Sequence, residues 1–300
     1  MNNKLNLSFV LPAYNEAASL KKLTEALLEN INKLSDITDY ELIFIDDGSK
    51  DDTRAVLTEL TAQNPHVKAL FLRKNCGKSI ALQVGFNAAS GDIVFTMDTD
   101  LQDDPAEISR FIDKINEGFD LVSGWKVKRY DPMEKKFASK IFNTFIARVF
   151  KIKLHDFNCG FKAYRRDTCK SLRLFSELHR FTPVLAAMDG FNVTEITVNH
   201  HPRENGVSKF GYERYLHGLF DFMVVWFLYF HQNAPMYCFG KAAACTALLG
   251  FIALFFSLWT GVWLFTVALL LSGFGIMASY IKYKNFDRNE ADKYVAEKIG

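Results

Sequence analysis

The chain has 300 residues, enough for one large globular domain, or for one such domain followed by a membrane segment. Its 36 basic and 34 acidic residues leave a formal net charge of +2, so no excess of positive charge points to nucleic acid as a partner. The five cysteines show no CxxC spacing, which argues against a zinc site and a disulfide framework.

Strand and helix signals alternate through the first half of the chain. Short apolar runs predict five strands, over residues 7–13, 40–49, 67–75, 92–98 and 119–126. Apolar residues at helical spacing between these runs predict helices over residues 15–34, 51–63, 79–90 and 105–118. Strands that alternate with helices in this way predict βαβ units and a largely parallel sheet.

Clusters of polar residues follow four of the predicted strands. In chain order they read "PAYNE", "DDGSKDD", "RKNCGKS" and "DTDLQDD". Because such sheets bind ligands outside the carboxyl ends of their strands, these clusters predict one shared site. The patterns GxGxxG and GxxxxGK[ST] are absent, which argues against a dehydrogenase and against a P-loop NTPase.

The fourth cluster has the composition of a metal site. Asp98 and Asp100 stand two residues apart where a strand ends, and Gln102 adds a neutral oxygen. Carboxylates so close repel one another unless a cation lies between them, and oxygen ligands suit Mg²⁺ or Mn²⁺. Such an ion can hold the phosphates of a nucleoside diphosphate sugar. Asp103 and Asp104 are interpreted as loop acids or as caps of the next helix.

The second half of the chain carries signals of a membrane surface. Residues 131–156 mix Lys and Arg with Phe and Ile at helical spacing, which predicts a pair of basic amphipathic helices at an interface. An ordinary helix with a solvated basic face is the alternative. Residues 211–235 predict a juxtamembrane helix.

A long uncharged run near the C-terminus predicts transmembrane helices. From Ala242 to Ile281 there is no Asp, Glu, Lys or Arg over about forty residues, which is long enough for two crossings within 236–281. A buried helical hairpin in a soluble core is the alternative. Basic residues follow the run while its central turn is uncharged, so both chain ends are expected in the cytoplasm, with 282–300 as a tail.

Six motifs in one order bring a family resemblance. They are "PAYNE" (12–16), "DDGSKDDT" (46–53), "NCGKSIALQVGFNAASGDI" (75–93), "DTDLQDDP" (98–105), "NCGFKAYRR" (158–166) and "HHPRENGVSKF" (200–210). Together they resemble the family 2 glycosyltransferases with a GT-A fold. The most similar branch is that of the polyprenyl-phosphate glycosyltransferases, which contains dolichyl-phosphate mannose synthase and bacterial undecaprenyl-phosphate sugar transferases.

The resemblance covers roughly residues 6–235 and implies a fold and a domain order. It implies an α/β catalytic domain of the GT-A type over 1–210, Rossmann-like, with a mostly parallel sheet and helices on both faces. Interfacial amphipathic helices and a C-terminal hairpin of two transmembrane helices complete the expected chain. Relatives with paired helices imply a homo-oligomer, a tetramer being one such assembly.

The resemblance also implies roles for residues on the donor side. Residues that bind the nucleotide sugar would be Pro12, Tyr14, Glu16, Asp46, Asp47, Lys78 and Asp98. Residues that hold Mg²⁺ or Mn²⁺ would be Asp98, Asp100 and Gln102. The alternatives are a simple strand stop for Pro12 and a turn cap for Asp46.

The acceptor side needs cations more than a base. A lipid phosphate has a second pKa of about 6 and is largely ionised near neutral pH. Lys126 and Arg129, after the fifth strand, are candidates to bind it, and which of them does so is open. The resemblance assigns Arg203 and Lys209 to a loop that closes over the phosphates. Asp156 would orient the donor sugar or act as a base, with a turn cap as the alternative.

The sequence and the resemblance together predict a metal-dependent transfer of a sugar from a UDP- or GDP-sugar to a polyprenyl phosphate. The resemblance implies that the reaction inverts the anomeric carbon. The expected location is the cytoplasmic leaflet of the cell (inner) membrane. A different lipid or polysaccharide acceptor is one alternative, although the QxxRW motif of processive synthases is absent. A non-catalytic membrane protein that binds nucleotide sugars is the other, and the intact "DTD" argues against it.

Overall fold

The computed structural model describes residues 4–127, 133–202, 213–231 and 295–299, together with single helical positions between 263 and 284. The chain divides into two compact units. One consists of Met1–Lys209 with Asp287–Gly300, and the other is Phe210–Phe286.

Strands and helices alternate along the larger unit, as the sequence predicts. The strands are β1 Leu5–Ala13, β2 Ile37–Asp46, β3 Val67–Leu72, β4 Ile93–Thr96, β5 Leu121–Lys126, β6 Lys162–Arg165, β7 Val193–Val198 and β8 Val295–Ile299. The helices are α1 Ala17–Ile31, α2 Thr53–Gln63, α3 Lys78–Ala88, α4 Ile108–Asn116, α5 Met133–Phe150, α6 Arg166–Ser171, α7 Thr182–Met188 and, in the smaller unit, α8 Glu213–His231. Short 3-10 turns at Pro105–Glu107 and Leu178–Phe181 precede α4 and α7.

Within the described residues the strands form one mixed sheet in the order β7-β5-β6-β4-β1-β2-β3-β8. The pairs β1–β2, β1–β4, β2–β3 and β5–β7 are parallel, while β6 and β8 run antiparallel to their neighbours. The predicted α/β class and mostly parallel sheet are confirmed. Three strands were not predicted: β6, β7 and β8.

Helices cover both faces of the sheet, as the resemblance implies. On one face α1, α2 and α4 share a core with Phe9, Phe44 and Phe95. On the other face α3 lies so close to β1 that a Cβ at Gly85 would be 2.2 Å from a methyl carbon of Val10. Burial on both faces explains why β1 and β2 read as continuous apolar runs.

Some predicted boundaries differ from the observed ones. β2 begins at Ile37, earlier than expected, and ends at Asp46. β3 ends at Leu72, so the polar residues 73–77 belong to the loop before α3. Both predicted strands, 40–49 and 67–75, extended into the loops that follow them. The second and third polar clusters therefore begin where the observed strands end.

The predicted pair of amphipathic helices over 131–156 is a single helix, α5, in the described part of that range. It ends at Phe150, and Lys151 then adopts a left-handed backbone conformation with φ of 56°. That conformation terminates a helix, so the chain continues to Asp156 as a loop. α5 exposes Ile141 and Phe145, whose side chains are 55% and 49% accessible to solvent.

The smaller unit contains α8, Glu213–His231, which lies within the predicted juxtamembrane segment 211–235. In the part of the chain that the structure describes, no helix combines the length and the apolar character needed to cross a bilayer. Most of the predicted transmembrane hairpin, 236–281, lies outside the described residues. The predicted tail, 282–300, includes β8, which pairs with β3 and so is part of the sheet.

Candidate active site

The first two polar clusters are hydrogen-bonded to each other at the carboxyl ends of β1 and β2. Asn15 has a left-handed backbone with φ of 55°. Its amide N–H donates to Ser49 Oγ at 2.9 Å, and its side-chain Oδ1 accepts from the Lys50 amide at 2.8 Å. The Glu16 amide donates to Thr53 Oγ1 at 3.0 Å. These bonds connect "PAYNE" to "DDGSKDD" as the predicted common site requires.

The third cluster is fixed to the second by Asp47. Its two carboxylate oxygens accept from the amides of Cys76 and Gly77 at 2.7 and 2.9 Å. Gly48 has φ of 67°, and a Cβ there would lie 2.5 Å from the carbonyl carbon of Lys74. Only glycine allows this close approach of the two loops. Burial raises the pKa of Asp47 despite the two amide donors.

The predicted nucleotide-binding residues lie around these loops. Pro12, Tyr14 and Glu16 are half-buried, and Asp46 and Asp47 are buried. Asp46 Oδ1 accepts from the Ser49 amide at 3.0 Å, which is the turn-cap arrangement named above as its alternative. Thr99 Oγ1 donates to the Pro12 carbonyl at 3.1 Å and so joins β1 to the fourth cluster.

Asp98 lies where the clusters meet. Its carboxylate contacts the ammonium of Lys78, the first residue of α3. A Cβ at Gly160 would lie 2.6 Å from Asp98 Oδ2, so glycine is needed there for the carboxylate to rest on the backbone. Burial acts to raise the pKa of Asp98, but the ammonium groups of Lys78 and Lys126 together outweigh it and lower the pKa. The carboxylate is therefore ionised near neutral pH.

The acidic loop, which we define as residues 98–104, can supply the donors that a hard cation prefers. Leu101 has φ of 62°, a strained conformation that turns the loop back after Asp100. The Gln102 backbone N–H donates to Asp100 Oδ1 at 3.3 Å, which holds two of the three predicted ligands next to each other. Among the described residues no three His, Cys, Asp or Glu side chains cluster as a metal site. Two carboxylates with an amide oxygen therefore fit Mg²⁺ or Mn²⁺ only when phosphates or water complete the set.

Lys126 has a partner that the sequence did not suggest. Its Nζ lies 2.8 Å from Asp103 Oδ1, and the two side chains are 13% and 0% exposed. Burial alone would raise the pKa of Asp103, but the Lys126 ammonium lowers it well below its usual range. Asp104, in contrast, caps the following 3-10 turn through the Ala106 amide at 3.0 Å, as predicted.

Asp156 is buried, and one of its oxygens accepts from the Asn158 amide at 3.1 Å, the turn-cap arrangement given as its alternative. Glu195 of β7 holds the same turn, because its Oε2 accepts from the His155 amide at 2.7 Å. The predicted residues Arg129, Arg203 and Lys209 lie outside the described residues.

Two further residues reach this region and were not assigned from the sequence. Lys162 is buried, its ammonium contacts the Cys159 carbonyl, and burial lowers its pKa to about 8. His179 Nδ1 lies 3.0 Å from Ser79 Oγ, next to Lys78 on α3. Lys162 stands inside the quoted motif "NCGFKAYRR", so the sequence did carry a signal for it. No pattern marked His179.

A family model decides the identity of this fold. The model described as "Glycosyl transferase family 2" matches residues 8–173, a range that contains four strand-end clusters and both glycine contacts around Asp98 and Lys74. The chain belongs to glycosyl transferase family 2. As a member of family 2 it is a glycosyltransferase, and the resemblance drawn from its motifs is confirmed.

Curated relatives in family 2 match nearly the whole chain. An undecaprenyl-phosphate 4-deoxy-4-formamido-L-arabinose transferase of Yersinia pestis (strain Pestoides F) is 32% identical over 312 residues, covering 98% of this chain and 93% of its own. The protein of the same name from Proteus mirabilis (strain HI4320) is 31% identical, covering 99% and 94%. Both relatives are named as polyprenyl-phosphate sugar transferases.

Solved structures share the GT-A-like fold of this family 2 member. Glucosyl-3-phosphoglycerate synthase from Mycobacterium tuberculosis, in complex with Mn²⁺, UDP-glucose and phosphoglyceric acid, superposes with a TM-score of 0.53 at 19% identity. The match covers 75% of this chain and 79% of that one. At this identity the likeness supports the fold alone.

Proposed function

We propose that this glycosyltransferase moves a sugar from a nucleoside diphosphate sugar to a polyprenyl phosphate of the undecaprenyl type, in a metal-dependent and inverting reaction. The observation that carries the proposal is the ionised Asp98 carboxylate between Lys78 and the Gly160 backbone, at the meeting point of four strand ends. The acceptor follows from the curated relatives, which are named for transfer to undecaprenyl phosphate. A UDP-sugar is the first donor to test, because a structural neighbour holds UDP-glucose with Mn²⁺.

The residues of the site divide the work. Asp98, Asp100 and Gln102 would hold Mg²⁺ or Mn²⁺, which neutralises the charge that builds on the departing diphosphate. Lys78 opens α3, and both its ammonium and the helix N-terminus favour an anion beside Asp98. The loops of Asn15, Asp46 and Asp47 form the wall next to this corner, where the nucleotide would lie.

The acceptor needs little help from a base. Its phosphate is already largely ionised near neutral pH, so its oxygen can attack the anomeric carbon directly and displace the diphosphate. The half-buried Asp98 carboxylate and its neighbour Lys78 would hold the diphosphate end of the donor, on the side of the anomeric carbon opposite the attacking oxygen. Asp156 is buried and caps the turn at residues 156–160. It would thereby support Gly160, against whose backbone the Asp98 carboxylate packs.

The same proposal places the enzyme at the cytoplasmic face of the cell membrane, as a homo-oligomer. The uncharged run from Ala242 to Ile281 would form the transmembrane hairpin. Ile141 and Phe145, exposed beside Lys140 and Arg148 on α5, suit contact with an anionic lipid surface near the site.

Transfer from a radiolabelled UDP-sugar panel to undecaprenyl phosphate, in membranes that contain the protein, tests this function. We expect labelled lipid with the wild type, and loss of at least about a hundredfold in rate with Asp100→Ala, because a metal ligand is removed. Asp113→Ala, an exposed acid on α4, is the matched control and should keep full activity.

The location is read from the same samples by flotation of the membranes, where both variants should remain. Full activity of Asp100→Ala would contradict the metal role. Label that appears in another lipid or in a polymer, and not in polyprenyl phosphate, would contradict the acceptor.

A further inference from the structure

Lys126 ends β5 at the same edge of the sheet as the acidic loop, and its ammonium contacts an acid of that loop. It is 2.8 Å from a carboxylate oxygen of Asp103, whose side chain is fully buried. His200 Nδ1 lies 3.8 Å from the same oxygen, with its side chain 9% exposed. The side chains of Lys126, Asp103 and His200 thus form one buried cluster at the end of the acidic loop.

Backbone and amide bonds hold the same place. Asp103 and His200 form an isolated antiparallel bridge, and the His201 amide donates to the Gln102 carbonyl at 2.8 Å. The Gln102 side-chain Nε2 donates to the His201 carbonyl at 3.3 Å, which leaves the amide oxygen of Gln102 as the ligand atom. His200 and His201, just after β7, therefore hold the loop at Gln102 and Asp103.

The cost of breaking this arrangement is high. A buried carboxylate that loses its cation is left uncompensated, which is more unfavourable than removal of both charges. The loop also contains the strained Leu101, which keeps its conformation only when its surroundings enforce it. The ion pair fixes Asp103, two positions after Leu101, and so constrains the loop on the C-terminal side of the strained residue.

We propose that Lys126, Asp103 and His200 act as a clamp that positions Asp100 and Gln102 for the metal, and that Lys126 does not contact the acceptor phosphate. The clamp rests on the proposed function, because it acts through the metal ligands. All three are positioning residues: they act through Gln102 and the backbone of the acidic loop. This role replaces the acceptor contact that the sequence suggested for Lys126.

Two substitutions that change the charge in opposite directions separate the effect of local charge on Mn²⁺ binding from the effect of ligand positioning. Lys126→Met removes a positive charge near the metal, which by electrostatics alone would strengthen Mn²⁺ binding. Asp103→Asn removes a negative charge, which by electrostatics alone would weaken it. Loss of the clamp, in contrast, weakens Mn²⁺ binding in both variants.

The experiment measures Mn²⁺ binding to the full-length protein in detergent, from the electron paramagnetic resonance signal of unbound Mn²⁺. We expect affinity to fall about tenfold or more in both variants, the size of effect seen when groups that orient metal ligands are removed. Lys126→Arg should retain most of the affinity. The control is Lys68→Met, which breaks a comparable 2.8 Å pair with Glu41 at the amino ends of the strands.

Transfer kinetics separate the clamp from an acceptor contact. At saturating Mn²⁺ the KM for undecaprenyl phosphate should change less than about twofold in either clamp variant, while excess Mn²⁺ restores part of kcat. A KM that rises in Lys126→Met and not in Asp103→Asn would overturn the proposal, as would affinities that move in opposite directions or stay unchanged.

Two further measurements keep the test decisive. Amide hydrogen exchange in residues 98–104 without metal should be faster in both variants, and equal exchange would overturn the clamp even if the wild type bound no Mn²⁺. Absence of Mn²⁺ binding in the wild type would instead count against the proposed metal site. Should a single variant not fold, the double variant Lys126→Met with Asp103→Asn, which buries no lone charge, takes its place.

Discussion

Lys162 holds a buried ammonium group on β6, the strand that lies between β5 and β4 in the sheet. Its side chain is buried and its ammonium contacts the Cys159 carbonyl, and burial lowers its pKa from 10.5 to about 8. Lys78 disfavours the charge further, whereas Asp156 and Asp98 favour it. A charge held in this way reduces the free energy of unfolding.

We therefore expect Lys162→Met to be more stable than the wild type at neutral pH. Below about pH 8 the lysine is charged in both folded and unfolded chains, so its burial cost is complete there. Between about pH 8 and 10.5 the folded chain releases the proton first, and the wild type gains stability as the pH rises. The advantage of the variant should shrink by on the order of 2 kcal/mol over that range.

Thermal unfolding of both proteins at pH 7 and pH 10 measures this difference. The exposed Lys4 supplies a matched control, Lys4→Met, with the same change in charge and no buried group. An advantage of Lys162→Met that stayed constant with pH would assign the effect to packing. Lower activity despite greater stability would indicate that the charge serves the donor site.

At the scale of single residues the sequence predicted which residues gather and was weaker on what each contacts. The four strand-end clusters do meet, and Asp98 with Lys78 lies at their centre. The partner of Lys126 could not be read from spacing, because Asp103 is 23 positions away and every acid in the loop looks equivalent in sequence. Asp46, Asp47 and Asp156 all accept backbone amides, a use that a carboxylate pattern does not distinguish from ligand binding.

Glu41 joins three strands at the end of the sheet away from the site. Its Oε1 accepts from Ser8 Oγ at 2.6 Å and from the Ser90 amide at 2.7 Å, while Oε2 pairs with Lys68 at 2.8 Å. Burial alone would raise the pKa of Glu41, but the hydrogen bonds from Lys68, Ser8 and Ser90 lower it to about 2.

Glu41→Gln should therefore destabilise the fold without changing the metal loop. Because the folded-state pKa is depressed, the contribution of Glu41 is complete above about pH 4.5 and is lost as the pH falls towards 2. We expect a loss of about 1–2 kcal/mol at pH 7, and a smaller difference from the wild type near pH 3. Chemical denaturation at the two pH values measures both.

The control for this prediction is Glu59→Gln. Glu59 pairs with Lys21 at 2.7 Å on an exposed surface, where such pairs contribute little. Equal losses in the two variants would show that the network of Ser8 and Ser90 adds nothing beyond an ion pair.

At the scale of elements, the sequence predicted the five strands that are apolar and missed the three that are not. β6 reads "KAYR", with a buried lysine and a half-buried arginine, and is a strand because β4 and β5 flank it. β7 reads "VTEITV", whose weak alternation suits a strand that, among the described residues, lies at the edge of the sheet and pairs with β5 alone. Both depend on partners far away in the chain, which local periodicity does not register.

At the scale of the whole molecule, β8 extends the sheet beyond β3 with residues from the C-terminal part of the chain. Val295–Ile299 pairs antiparallel with β3, which would otherwise present an open edge. An unpaired edge strand exposes a row of amides and carbonyls and promotes association with other chains.

Truncation after residue 294 should lower the thermal midpoint by several degrees and increase aggregation on size-exclusion chromatography in detergent. Removal of Gly300 alone, which leaves β8 intact, is the control. An unchanged midpoint and elution profile in the longer truncation would mean that β3 needs no cover.

The place of β8 also limits how the intervening segment can meet a bilayer. The chain leaves the larger unit after residue 209 and has returned to it by residue 295, because β8 hydrogen-bonds to β3 of that unit. Every outward passage through a lipid layer must then be matched by a return. One or three membrane crossings would place β8 on the opposite side of the bilayer from β3, whereas two crossings return it to the same side. Reporters fused to the two ends of the chain would then lie in the same compartment.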